Sequence, residues 1–327
     1  MPMNTLNDLP KIDLHCHLDG SLSREFIESK LERPVSKDEL TAPYDCSSLA
    51  EYLTKFDLPV SCILTKANLK EAVLDVIRQA KENNITYMEI RFAPNLSKNE
   101  NLDYKDIYEA VIEGSKEGQN KYGVMSNIII CAMRHHSEKQ NLDMLKAGRE
   151  YLGYGICALD LAGDEAGFPN ENFAYLFDAA NNLEMPFTIH SGECGRVKNI
   201  KIAVEAGAKR IGHGICLSED RELMQYCRDK SIGFELCPTS NYQTKAVMEG
   251  MEYPLRRFLD YGIKATVNTD NTTVSNTTMT REYEFITSKL NIAKDELVLL
   301  YKNSIELSFA NDDVKNILVK TISAYEK

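Results

Sequence analysis

The chain has 327 residues, enough for two ordinary domains or one large barrel, and 43% of them are hydrophobic, which excludes wholesale disorder. Its formal net charge of -11 argues against a general nucleic-acid binder, because affinity for a phosphate backbone comes from clustered Lys and Arg. Nine cysteines, an odd number without a CxxC pair, do not read as a disulfide framework, and Cys131, Cys157 and Cys237 sit in apolar runs where a thiol packs as a small hydrophobe. No basic region followed by an apolar core opens the chain, and no apolar run approaches membrane-spanning length. The expected setting is a reducing cytoplasm, and the expected partner is a small molecule rather than nucleic acid or membrane.

Taken in chain order, eight short apolar, β-branched runs alternate with longer stretches of helical period. They are KIDLHCHL from Lys11, ITYMEIRFAP from Ile85, MSNIIICAMR from Met125, ICALDLAG from Ile156, PFTIHSGE from Pro186, RIGHGI from Arg210, SIGFELCPTS from Ser231 and IKATVNTDN from Ile263. Between them lie helical stretches such as KEAVLDVIRQAKENN, where Ala72, Val73, Val76, Ile77 and Ala80 share one stripe. Strands buried on both faces and alternating with helices predict a parallel sheet, and eight of them suit an α/β fold of the (β/α)8 TIM-barrel type. An open doubly wound sheet fits the same count. No linker divides the chain, so residues 1–327 read as one domain. The long connection after the first run, containing SSLAEYLTKFDLPVSCILT, predicts extra helices over the barrel mouth, and further helices follow the eighth run.

Chemically capable residues crowd the C-terminal ends of these runs: His15, His17 and Asp19; the DLAGDE segment; His190 and Glu193; His213; Asp270 and Asn271. In a barrel these ends share one mouth, where active sites are built. His135 and His136 follow the third run and are placed to reach the mouth, but they find no matching partners in the sequence and read as structural histidines. On a strand, residues two apart point to one side, so His15 and His17 can present both imidazoles inward while Cys16 faces away. A third imidazole from His190 and a carboxylate from Asp270 would complete an N3O set of the kind that suits zinc, with a position left for water.

The pieces DLHCHLDG, MEIRFAP, LDLAGDE, TIHSGECG, IGHGI, ELCPTSN and NTDN, in this order from about Lys11 to Tyr283, resemble the adenosine deaminase family of metal-dependent amidohydrolases. The resemblance implies a (β/α)8 barrel with one zinc ion per chain on His15, His17, His190 and Asp270, and with His17 also facing the substrate. It implies that His213 stands beside the attacking water, that Glu193 faces purine N1, that the Gly163 backbone N–H meets N3, and that Asp19 binds the ribose 5′-hydroxyl. Leu49, Tyr52, Leu53 and Phe56 correspond to an apolar gate. The implied reaction is hydrolytic deamination of adenosine, and of 2′-deoxyadenosine, in purine salvage. Glu193, His213 and Asp270 would carry it: Asp270 orients the nucleophile, His213 takes or stabilises a proton, and a protonated Glu193 relieves the charge that attack at C6 places on N1.

One departure concerns Asp270-Asn271, where the family commonly has two aspartates, the second of which bonds purine N7. N7 is an acceptor, and an asparagine amide donates to it without first taking up a proton. Asn271 is therefore expected to keep that contact. Relatives acting on free adenine tend to carry glutamate at the position of Asp19, so HLDG favours the nucleoside, although a 5′-modified adenosine fits as well. A 5′-phosphate would be repelled by Asp19. A non-catalytic binding relative would be expected to lack Glu193 or a ligand, and all are present. Within LDLAGDE, Asp160 reads as structural or as a support for a ligand, and CPTSN as a shaper of the mouth. GYGICA from Gly153 precedes a strand, the wrong context for a dinucleotide fingerprint, and GxxxxGK[ST], HExxH, GxSxG and the cytidine-deaminase pattern are absent.

Overall fold

The structure, a computed structural model, describes residues 5–44, 46, 49–248 and 250–325. The eight runs are eight strands: β1 (Lys11–His17), β2 (Ile85–Phe92), β3 (Met125–Met133), β4 (Ile156–Ala162), β5 (Thr188–Ser191), β6 (Arg210–His213), β7 (Gly233–Leu236) and β8 (Lys264–Val267). They pair in parallel in the orders β1-β2-β3-β4 and β5-β6-β7-β8. Two seams join these halves. At one, Leu159 bridges to Phe187 and its N–H donates to Pro186 O at 2.9 Å. At the other, Cys16 bridges to Asp270, with His17 N–H donating to Asp270 O (2.7 Å) and Asp270 N–H to His15 O (2.8 Å). The sheet closes, so the fold is a (β/α)8 barrel rather than an open doubly wound sheet. The second seam is made by the backbone of the proposed ligands, so closing the barrel also assembles the site.

The crossover helices form for local reasons. Thr65 caps Lys66–Glu82 by accepting from Asn68 N–H, and the stripe from Ala72 to Ala80 is buried against the barrel. Asp103 caps Tyr104–Tyr122 in the same way. After β1 come short helices at Arg24–Leu31 and Lys37–Leu40. Then Leu49–Leu53, the 3-10 turn Thr54–Phe56 and Asp57–Ser61 supply Tyr52, Leu53, Phe56, Asp57 and Val60 to the cavity and lie over the mouth as expected. Of the three helices after β8, Met279–Lys289, Lys294–Leu307 and Asp312–Ser323, the middle one packs on β8 and β1 and serves as the eighth barrel helix. The C-terminal addition is thus smaller than the sequence suggested. Among the described residues, no helix is long and apolar enough to cross a membrane.

The barrel interior is not simply apolar. Arg91, Arg210, Glu89, Asp160 and Glu235 are all fully buried. Arg91 reaches Asp160 (2.9 Å) and Glu235 (2.8 Å), while Arg210 reaches Glu235 (2.5 Å) and Glu89 (2.6 Å). Two guanidinium groups against three carboxylates nearly balance. Removing one partner would leave an uncompensated buried charge, a loss of about 3–5 kcal/mol.

Candidate active site

The C-terminal ends of the strands open into a cavity of ≈ 300 Å³. Four of the six histidines meet at its floor. The His15 ring lies 4.6 Å from His190 and 4.9 Å from His213, centroid to centroid. His17 Nε2 is 3.2 Å from His190 Nε2, and Asp270 Oδ1 is 3.4 Å from both His15 Nε2 and His17 Nε2. The four donor atoms lie within 4.8 Å of one another. Buried His15 Nε2 has no hydrogen-bond partner among the described residues.

These are the marks of a metal site. Three of the six donor separations are 3.2–3.4 Å, the spacing of atoms that share one ion roughly 2 Å away, the distance at which nitrogen and oxygen bind zinc. The protonation preferences of His15, His17 and Asp270 agree. Burial, with the charges of Arg91 and His190, pushes His15 down to about 4, and burial holds His17 well below its ordinary range, so both imidazoles are neutral, the form that can bind a metal. Burial would push Asp270 up, but the imidazoles around it, His15 foremost with His213 and His17, hold it well below the usual carboxylate range. His190 is shifted up, because the Asp160 carboxylate outweighs burial.

Carboxylates from other strands fix the rings of His15 and His190. Glu235 Oε2 lies 2.8 Å from His15 Nδ1, and Asp160 Oδ2 lies 2.9 Å from His190 Nδ1. Both acids are held below the ordinary range against the pull of burial, Glu235 by Arg91 and Arg210 and Asp160 by His190 and Arg91. As carboxylates they accept the Nδ1 proton, which leaves each Nε2 lone pair aimed at the site. Asp160 therefore supports a ligand. Glu235 and Arg91, which bridges the two acids, were missed in the sequence. Their strand positions in MEIRF and GFEL would have been the signal.

The backbone is strained at two site residues. His213 (φ 62°) and Asp270 (φ 60°) both adopt the left-handed conformation, at roughly 1–2 kcal/mol each for a non-glycine residue. His213 is 1% exposed, and its Nδ1 lies 3.0 Å from Asn241 Nδ2. Asn241 Oδ1 is already engaged by the Cys237 N–H (3.3 Å) and the Tyr253 hydroxyl (2.8 Å), so its amide nitrogen must face the ring. His213 Nδ1 then accepts, and the ring proton sits on Nε2, towards the cavity. CPTSN therefore does more than shape the mouth, because it sets the tautomer of His213.

Glu193 lies just beyond β5. Thr244 Oγ1 donates to its Oε1 at 2.9 Å, while Oε2 lies 3.7 Å from His213 Nε2. Its loop is tied down by Glu165, whose carboxylate accepts from the N–H groups of Gly192 (2.7 Å), Glu193 (3.0 Å) and Cys194 (3.2 Å). Thr244 and Glu165 also escaped the sequence reading.

The remaining expected residues line the same cavity: Asp19, Gly163, Asn271, and the lid residues Tyr52, Leu53 and Phe56. The side chain of Leu49 lies outside the described residues. Gly163 holds φ +106°, a conformation open to glycine, with its backbone at the cavity wall. Burial pushes Asp19 up to about 6, against hydrogen bonds from its own backbone and that of Gly20, and its Oδ1 has no partner among the described residues. Gly20 is needed for space: a Cβ there would stand 1.8 Å from Asn271 Oδ1. His135, expected to be a structural histidine, lines the cavity wall.

A closed parallel barrel with three imidazoles and a carboxylate converging at its C-terminal mouth, beside a poised glutamate, defines a metal-dependent hydrolase. A family profile described as adenosine deaminase matches residues 10–325, and the chain belongs to that family. It is 38% identical over 331 residues to the adenosine deaminase of Enterococcus faecalis, covering 98% of each chain. It is 37% identical to that of Clostridium acetobutylicum, covering 96% of this chain and 97% of the relative. Among solved structures, the adenine deaminase of Arthrobacter aurescens superimposes with a TM-score of 0.87 at 22% identity, covering 97% of this chain and 98% of that one. The N6-methyl-AMP deaminase of Arabidopsis thaliana superimposes with a TM-score of 0.84 at 23% identity, covering 98% of each. A Burkholderia amidohydrolase with bound zinc superimposes with a TM-score of 0.86 at 18% identity, covering 98% and 94%. These structural likenesses speak for the fold.

Proposed function

We propose that the protein is a zinc-dependent adenosine deaminase, converting adenosine and 2′-deoxyadenosine to inosine or 2′-deoxyinosine and ammonia. The observation that carries this reading is the convergence, in one cavity, of the His15, His17, His190 and Asp270 donor atoms with Glu193 and with the unpartnered Asp19 Oδ1. Zinc bound by the four donors would lower the pKa of a water from about 15.7 towards 7 and so make it a nucleophile at neutral pH.

The chain's own groups supply the rest. His213 presents its Nε2 proton to the side where oxygen approaches purine C6, and stabilises the negative charge that develops there. Asp270, held ionised, orients the attacking water through a carboxylate oxygen. Glu193, with Oε1 occupied by Thr244, turns Oε2 towards the base and holds a proton for N1, which gains charge as the ring loses aromaticity. Asp19 accepts the 5′-hydroxyl, the Gly163 N–H meets N3, and Asn271 donates to N7.

The cavity also separates substrates. Among the described residues no Lys or Arg lines it, whereas Asp19, Asp57, Asp164, Glu193 and Asp270 do. This favours a neutral nucleoside over a 5′-phosphate. Free adenine would leave Asp19 Oδ1 buried without a partner.

The test is to load the purified protein with zinc and follow the loss of adenine absorbance with adenosine, adenine, AMP and 5′-modified adenosines. Adenosine and 2′-deoxyadenosine should turn over with the highest kcat/KM. Absence of adenosine turnover in a zinc-loaded sample defeats the reading. Full activity in Glu193→Gln defeats the role given to that residue.

A further inference from the structure

We propose that Tyr52, on the lid helix Leu49–Leu53, is a positioning residue for base recognition that acts through Asn271; this rests on the nucleoside reading above. Tyr52 Oη lies 2.9 Å from Asn271 Nδ2 and 2.7 Å from Ser275 Oγ. Tyr52 and Asn271 are each 2% exposed, so neither exchanges these contacts freely with water. The phenol packs in an apolar cluster with Ala42 and Val274, which seats the lid on the loop that follows β8.

The argument is one of polarity. Purine N7 only accepts, so Asn271 can serve it only with its nitrogen. A free side-chain amide can turn over and present its oxygen instead, placing two acceptors face to face. Here the amide oxygen lies against Gly20, in the space a Cβ would fill, and has no partner among the described residues. The nitrogen is held on the other side by the Tyr52 hydroxyl, whose own proton can go to Ser275. One N–H is used on Tyr52, and the second remains to donate into the cavity that Asn271 lines. The reversed amide would bury both N–H groups against Gly20 and turn an oxygen towards the base. Because Tyr52 belongs to the lid, discrimination at N7 is complete only with the lid seated.

The test compares inosine with 7-deazainosine, which differ at N7 alone, by calorimetric titration of wild type, Tyr52→Phe, Asn271→Ala and the double variant. Thermal unfolding checks that each variant is folded. Wild type should bind inosine roughly tenfold more tightly, the order expected of a buried hydrogen bond. Tyr52→Phe should reduce that ratio to about two- or threefold, by weakening inosine and leaving 7-deazainosine within about twofold. The double variant should go no lower than Asn271→Ala. If Tyr52→Phe does not fold, Ser275→Ala replaces it, and the ratio should again fall. An unchanged ratio, or equal weakening of both ligands, overturns the proposal while the nucleoside reading stands. Failure of the wild type to bind either ligand overturns both.

Discussion

Asp160 Oδ2 lies 2.9 Å from His190 Nδ1. The same oxygen receives Arg91 Nη1 at 2.9 Å, and Arg91 passes on to Glu235, which holds His15. Two ligand rings on opposite sides of the barrel are thus aimed by one ionic lattice. That lattice continues through Arg210 to Glu89, so the metal site is an extension of the charged barrel interior.

Asp160→Asn should therefore weaken metal binding more than it perturbs the fold. Asp160 uses both oxygens as acceptors, Oδ2 for His190 and Arg91 and Oδ1 for the Leu161 N–H (2.7 Å). Asparagine has one acceptor oxygen, so its NH2 would face either the Leu161 N–H or the His190 and Arg91 donors, and one donor would face another. Arg91 would keep Glu235. Zinc affinity, measured by competition with a chromogenic chelator, should fall about 10–100-fold, as is usual when the partner of a ligating histidine is lost. Wild-type affinity in the variant would show that His190 is aimed by the backbone alone.

Asn241→Asp tests the tautomer of His213. The carboxylate would accept from Nδ1, strip the proton from Nε2 in the neutral ring, and turn a donor towards the cavity into an acceptor. Loss of such a donor costs on the order of 100-fold in kcat. Zinc affinity should stay within about threefold, because Asn241 touches no ligand. If kcat is unchanged, a base at Nε2 suffices and the donor role is wrong.

The contrast between His15 and Glu235 shows what the sequence makes legible. Strand periodicity carries the first: HxH places two imidazoles on one face, and the position of polar residues at strand ends marks the mouth. His190 and Asp270 follow from the same rule. Glu235 and Arg91 sit inside their runs, where a charge in an alternating strand reads as a solvent-facing residue. In a closed barrel that face is the interior, and the two residues, which bond each other, lie 144 positions apart along the chain. Asn241 and Thr244 act through contacts set by the short helix Pro238–Gln243, which no periodicity reports. Gly20 has ordinary local chemistry, and only the approach of Asn271 shows why a side chain there is excluded.

Glu282 supplies a pH test that does not depend on the reaction. It is fully buried, accepts from Thr239 N–H (3.1 Å) and Thr277 Oγ1 (2.5 Å), and touches none of the ligands. Burial pushes its carboxyl up from 4.5 to about 7, although those hydrogen bonds pull the other way. Below 4.5 both the folded and unfolded chains hold the proton. Between 4.5 and 7 only the folded chain does, so stability falls as pH rises through that window, and above 7 the whole penalty applies. A shift of this size corresponds to on the order of 3 kcal/mol. Asp13, raised to about 7, and Asp19, raised to about 6, slope in the same direction and remain in the variant. Glu282→Gln keeps an acceptor for Thr239, and its NH2 can donate to the Thr277 hydroxyl once that hydroxyl turns to accept, without a charge. Urea unfolding at pH 5 and pH 8 should show wild type losing more stability than Glu282→Gln by a few kcal/mol, with contributions from the metal site cancelling between the two proteins. Equal losses in both would mean that Glu282 is ionised in the folded protein at neutral pH, and that its two hydrogen bonds outweigh burial.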